Sequence, residues 1–192
     1  MKLFFAPGFS SLADHIALLE AGLAVDIVEV DLETKRLRDG GDYLAVNPKG
    51  QVPALTLDDG AVLTENVAIL AWIADCAPHL TPPGPLGRYR LLEMLGFIAS
   101  EIHKRFPIYL SLAGEAQETV GADIVRWFGF LDPRLDRGYL FGDVFSAADA
   151  YLFVMARGAL EMAFPLGAPY RDYVARIEAR PAVQTALRRE AQ

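Results

Sequence analysis

Several short stretches combine residue types that can do chemistry. The first is Pro7-Gly8-Phe9-Ser10-Ser11, which lies between a short apolar run and a helical pattern. The start of a helix offers free N–H groups and a partial positive charge, a setting that favours a thiolate or a carboxylate. The hydroxyl of Ser10 or Ser11 could donate to a bound sulfur. Ser11-Leu12-Ala13-Asp14 also has the spacing of a capping box, which would occupy Ser11 and leave Ser10 with no structural duty.

The second stretch is Asn47-Pro48-Lys49-Gly50-Gln51-Val52-Pro53. A Val-Pro bond adopts the cis form at modest cost, and it could turn the Val52 backbone outwards to pair with an extended peptide. An ordinary loop before a strand is the alternative. The third is Thr64-Glu65-Asn66. Glu65 suits an ammonium group, while the helix start beside it suits a carboxylate, as the α-amino acid end of a ligand requires. Plain helix capping is the alternative here. Lys35, in the acidic stretch from Asp31 to Asp42, is the fourth candidate, in a setting where lysines are usually solvated. Further on, Gly96, Ser100, His103 and Lys104 stand at helical steps beside an apolar stripe. The small residues leave space, and His103 could donate a hydrogen bond or position a thiol. A partly buried structural histidine fits the same spacing.

The elements that would position these groups follow from periodicity. Lys2–Phe5 reads as a strand, Ser11–Ala21 as a helix stopped at Gly22, and Val25–Val30 as a second strand, a parallel β-α-β unit. A short helix is expected near Asp42–Val46. Ala54–Leu57 and Ala61–Leu63 flank Asp58-Asp59-Gly60 as a hairpin, and Asn66–Ala77 is an apolar helix. The stretch 78–87 holds four prolines and two glycines and no charge, so it reads as a linker between domains 1–77 and 88–192. The second domain shows only helices: Arg88–Arg105, ended near Pro107, then Gly121–Leu131, Ser146–Leu160, Pro169–Ala179 and Ala182–Glu190. Ser146-Ala147-Ala148-Asp149 has capping-box spacing, and its helix is apolar nearly all round, which predicts a central place.

Composition narrows the function classes. Residues 1–77 hold 5 lysines and arginines against 12 aspartates and glutamates, which accounts for the whole net charge of −7. Residues 88–192 are balanced, so nucleic-acid binding is disfavoured. No run is long enough to span a membrane, and a cytoplasmic location is expected. Cys76 is the single cysteine, which excludes an intrachain disulfide. The three histidines lack ligand spacing, so no metal site is expected.

Taken together, these stretches resemble the bacterial beta-class glutathione S-transferases. The resemblance includes Tyr43-Leu44-Ala45-Val46 followed by Asn47 to Leu55, and Leu63-Thr64-Glu65-Asn66-Val67-Ala68-Ile69. It continues through Phe97-Ile98-Ala99-Ser100-Glu101-Ile102-His103-Lys104 and Phe145-Ser146-Ala147-Ala148-Asp149-Ala150-Tyr151-Leu152. It implies an α+β thioredoxin-like N-terminal domain (β-α-β-α-β-β-α) with an all-α C-terminal domain, the glutathione transferase fold. It also implies a homodimer with no bound cofactor, using glutathione as co-substrate against small hydrophobic electrophiles or peroxides. Ser10 and His103 are then the catalytic candidates. Ser11, Lys35, Gln51, Val52, Pro53, Glu65, Asn66 and Lys104 are the glutathione-binding ones.

Three departures from that family stand out. Ser10 occupies the place of the usual cysteine, so activation of the glutathione thiol by hydrogen bonding replaces mixed-disulfide chemistry. Gly96 stands for a common asparagine, and residues 106–121 form a short segment where the second substrate would bind. A non-catalytic binding or stress-response protein is the alternative these departures raise, and glutathione-dependent isomerisation or ether cleavage is another.

Overall fold

The computed structural model describes residues 1–191 of the chain. Its first half contains strands β1 (Lys2–Phe5), β2 (Asp26–Asp31), β3 (Arg36–Leu37), β4 (Ala54–Thr56) and β5 (Val62–Thr64), with helices α1 (Ser11–Glu20) and α2 (Asn66–Cys76). The sheet order is β3-β2-β1-β4-β5. β1 runs parallel to β2, with Leu3 opposite Ile27, and antiparallel to β4, with Leu3 opposite Leu55. The β-α-β unit and the β4–β5 hairpin match the pattern read from the sequence. The strand β3 was not expected, because two residues are too few to show a period. The helix expected near Asp42–Val46 is a single 3₁₀ turn at Tyr43–Ala45, capped by the Asp42 side chain.

α1 is buried from Ser11 to Leu18 because both of its faces are covered. One face meets the sheet, and the other meets the helical half. Gly22, at φ +69°, ends α1 in the left-handed conformation that glycine adopts without strain.

The helical half begins with α3 (Gly87–Phe97), followed by a π-helical segment (Ile98–His103) and α4 (Arg105–Ser111). The single helix expected over Arg88–Arg105 is therefore three pieces. The Lys104 N–H reaches the Ala99 carbonyl, five residues back, at 3.2 Å. Pro107 does not end the run. It lies in the first turn of α4, where backbone N–H groups have no helical partner to lose.

The remaining helices are α5 (Gly114–Leu131), α6 (Ala147–Glu161), α7 (Pro169–Glu178) and α8 (Pro181–Glu190). α5 starts well before the expected Gly121, since its first two turns are polar and carry no apolar stripe. α6 is central, with Ala147 to Phe153 all buried. Asp149 locks its start. The carboxylate accepts from the Ser146 N–H at 2.9 Å, the Ser146 hydroxyl at 2.6 Å, the Leu140 N–H at 2.8 Å and the Tyr173 hydroxyl at 3.1 Å.

One contiguous apolar core includes Leu3, Ile16 and Ile73 from the first half with Leu95, Phe128 and Ala156 from the second. Polar clasps join the halves as well. Arg180 grips Glu20 with two bonds of 2.6 and 2.8 Å, His15 Nδ1 lies 2.9 Å from Glu190, and Arg189 reaches the Val25 carbonyl. Among the described residues, no helix is long and apolar enough to cross a membrane.

Candidate active site

A cavity of about 930 Å³ opens between the α/β half and the helical half. It gathers Ser10, Lys35, Gln51, Val52, Pro53, Glu65 and Asn66 from one side with His103 and Lys104 from the other. Of the catalytic and glutathione-binding candidates named from sequence, Ser11 alone does not line it. Ser11 is fully buried, and its hydroxyl lies 3.3 Å from the Ala6 N–H and 3.5 Å from the Ala6 carbonyl. It fastens the loop between β1 and α1 and forms no capping box, because Asp14 turns instead to Asn66.

Ser10 is 5% exposed and sits where α1 begins. Its hydroxyl lies 3.0 Å from Asn66 Oδ1, across the junction with the start of α2. Asn66 completes the junction by donating to the Ser10 carbonyl at 3.0 Å and to Asp14 at 2.7 Å.

The loop before β4 supplies the next group. The Val52–Pro53 bond is cis. The Gln51 carbonyl is held from behind by the Tyr43 hydroxyl and the Asn47 side-chain amide, each at 2.7 Å. Gly50 has φ +62°, and a side chain there would press on Lys35 and Leu44. Its carbonyl accepts from Lys35 Nζ at 2.9 Å, which folds that lysine over the loop. Glu65 has φ +74°, a conformation that costs a residue with a side chain about 1–3 kcal/mol and that clusters at functional sites. Its carboxylate pairs with Lys49, which also donates to Thr64 Oγ1 at 2.7 Å.

The helical wall is mostly apolar: Phe106, Leu110, Val154, Met155 and Met162 face the cavity. His103 stands at the end of the π-helical segment, a feature often found where a helix is adapted to function. Its Nδ1 lies 2.6 Å from the buried Tyr151 hydroxyl. Burial lowers the pKa of His103 and raises that of Tyr151. The ring is thus neutral at neutral pH and the phenol protonated. The Tyr151 hydroxyl has no other acceptor among the described residues, so it donates to Nδ1, and the histidine proton then sits on Nε2, where it can be donated.

Gly96 and Ser100 do not line the cavity; Ala99 does, because the π-helical turn advances that face. Tyr151 is a site residue that the sequence reading did not assign. The apolar helix surrounding it marked it as core. Three lysines and one glutamate line the cavity, so a protein of net charge −7 holds a cationic recess that attracts anions.

Comparison with known proteins agrees with this geometry. Residues 14–76 match the family model for the glutathione S-transferase N-terminal domain. The chain is 44% identical to the glutathione S-transferase GstA of Escherichia coli O157:H7, across 99% of this chain and 98% of that one. A sphingomonad glutathione S-transferase solved in complex with glutathione superposes with a TM-score of 0.90 at 43% identity, covering 100% of this chain and 99% of that one. The beta-class enzyme of Sphingomonas chungbukensis gives a TM-score of 0.89 at 45% identity, over 99% and 98% of the two chains. The chain belongs to the glutathione S-transferase family.

Proposed function

We propose that this chain is a glutathione S-transferase that joins the glutathione thiolate to small hydrophobic electrophiles, with Ser10 as the thiol donor. The observation that carries this reading is a cavity with a polar wall from the α/β half and a mostly apolar wall from the helical half.

Glutathione brings an α-amino acid end, a cysteine and a glycine carboxylate. Glu65 and the start of α2 at Asn66 suit the α-amino acid end. The Lys49–Glu65 pair is largely exposed, where such a pair is worth about 1 kcal/mol or less, so a ligand ammonium can take over the carboxylate. Val52 and Pro53 suit the cysteine backbone, and Lys35, Gln51 and Lys104 suit the remaining polar groups.

The thiol then lies near Ser10. A free thiol has a pKa of about 8.5, and a hydrogen-bond donor beside a helix start lowers it. The thiol proton leaves to water. The sulfur attacks the electrophilic carbon, a C–S bond forms, and the leaving group departs with its bonding pair. The Nε2–H of His103 is available to the sulfur or to the leaving group. The electrophile rests against Phe106, Met155 and Met162. We also propose that the chain acts in the cytoplasm as a homodimer.

Two measurements test the reading. Calorimetric titration with glutathione should show binding that Glu65→Ala weakens. Turnover of an activated aryl halide should then depend on glutathione and fall in Ser10→Ala. Binding without turnover would instead favour a non-catalytic glutathione-binding protein.

A further inference from the structure

Three hydrogen bonds beside the cavity fix the direction of one proton. Asn66 Nδ2 lies 3.0 Å from the Ser10 carbonyl and 2.7 Å from Asp14 Oδ2. A carbonyl only accepts, so the nitrogen end of the amide must face it. The other end, Oδ1, therefore faces the Ser10 hydroxyl at 3.0 Å. An amide oxygen has no hydrogen to give, so Ser10 donates there. Asp14 completes the lock from a fully buried position. Burial raises its carboxyl well above the usual range, which favours the neutral form, and its Oδ1 meets no partner among the described residues. Glu190 from α8 and Tyr151 from α6 are the titratable groups that act on Asp14 or feel its charge. Glu65, Lys35, Lys49, His103 and Lys104 face the cavity itself.

We infer that Asn66, locked by Asp14, is a positioning residue that claims the Ser10 proton, so that a bound thiolate must draw this proton away from a buried amide. The inference rests on the reading of Ser10 as the thiol donor. A thiolate is charged and is the stronger acceptor. When it accepts the Ser10 hydrogen bond, Asn66 Oδ1 is left buried without a donor, and that cost is set against thiolate formation. The junction thus limits how far Ser10 lowers the thiol pKa.

The test follows the ultraviolet absorbance of the thiolate of bound glutathione as a function of pH. Ser10→Ala should raise the thiol pKa. Asn66→Gly should lower it by about one pH unit, since no acceptor then competes for the proton. In the double variant, Asn66→Gly should add nothing to the effect of Ser10→Ala, because no hydroxyl remains to release. Asp14→Asn keeps an acceptor for Asn66 Nδ2 without a charge and should leave the thiol pKa where it is.

An unchanged pKa in Asn66→Gly, with Ser10→Ala raising it, would overturn the inference alone. A shift in Asp14→Asn would show that Asp14 acts through charge, and it would overturn the lock. No effect of Ser10→Ala would overturn the underlying reading of Ser10. Should Asn66→Gly fold poorly, Asn66→Ala makes the same test.

Discussion

The α/β wall of the cavity is polar and built from loops, whereas the helical wall is mostly apolar and built from continuous helices. On the first wall several polar groups are anchored: Lys35 on the Gly50 carbonyl, Glu65 on Lys49, Asn66 on Ser10 and Asp14. On the second wall His103 is the main polar group so anchored, by Tyr151. The difference matches two tasks. A fixed peptide needs donors and acceptors at set distances, while varied electrophiles need apolar surface and few polar demands. The methionines on the helical wall suit this, since an unbranched thioether adapts to several shapes.

The helical wall is the more vulnerable of the two to a single substitution. Asp149 holds four donors at the start of α6, the helix that presents Tyr151, Val154 and Met155. Asp149→Ala should cost roughly 3–4 kcal/mol, because each buried donor left unpaired costs about 1–3 kcal/mol and part is recovered by relaxation. The midpoint of urea unfolding would show it. Glu65→Ala acts on the other wall and should leave folding nearly unchanged. Glutathione affinity should fall roughly tenfold to a hundredfold, the equivalent of about 1.5–3 kcal/mol for a hydrogen bond to a charged group. Equal affinities by calorimetry would mean that Glu65 is no part of the peptide wall.

Ser10→Ala sharpens the contrast within the first wall. With Ser10 as the proposed thiol donor, it should lower turnover at neutral pH about tenfold while changing the glutathione KM little, because the proposed bond to the thiolate is lost and the other contacts remain.

The smallest effect concerns His103. Burial disfavours its protonated ring, so its folded-state pKa lies below the ordinary value near 6.5. The unfolded state binds more protons as pH falls through that value, so stability rises with pH across this window and is lost below it. His103→Gln should flatten Tm between about pH 5 and pH 7 relative to the natural chain. An unchanged slope would show that His103 is solvated.

Much of the peptide wall was legible in the sequence because it lies in short continuous segments with strong local signals. The prolines and glycine around Val52 and the Thr64-Glu65-Asn66 turn carry their chemistry within a few residues. Ser11 misled because its spacing to Asp14 fits a cap. The choice between cap and junction depends on Asn66, more than fifty residues away. The helical wall was harder to read. The π-helical segment moves Ala99 and His103 onto the cavity face, and no 3.6-residue period can reveal an inserted residue. Tyr151 lies in a helix whose sides are nearly all apolar, so pattern assigns it to the core and says nothing of the hydroxyl at its tip. Pro107 is a reliable helix breaker only in a helix interior, and here it lies in a first turn.

The clasp of α1 by the end of the chain bears on how the protein is made. Glu20 and its partner Arg180 are 160 positions apart. At ribosomal rates of roughly 5–20 residues per second, α1 waits about 8–30 s for that partner to emerge. Through that interval the side of α1 that will meet α6 and α8 has no cover, although its sheet-facing side can already pack. The newborn α/β half therefore carries a sticky stripe that α6 and then α8 hide, and a ribosome stalled before residue 180 would leave the α8 part of it exposed to chaperones and proteases.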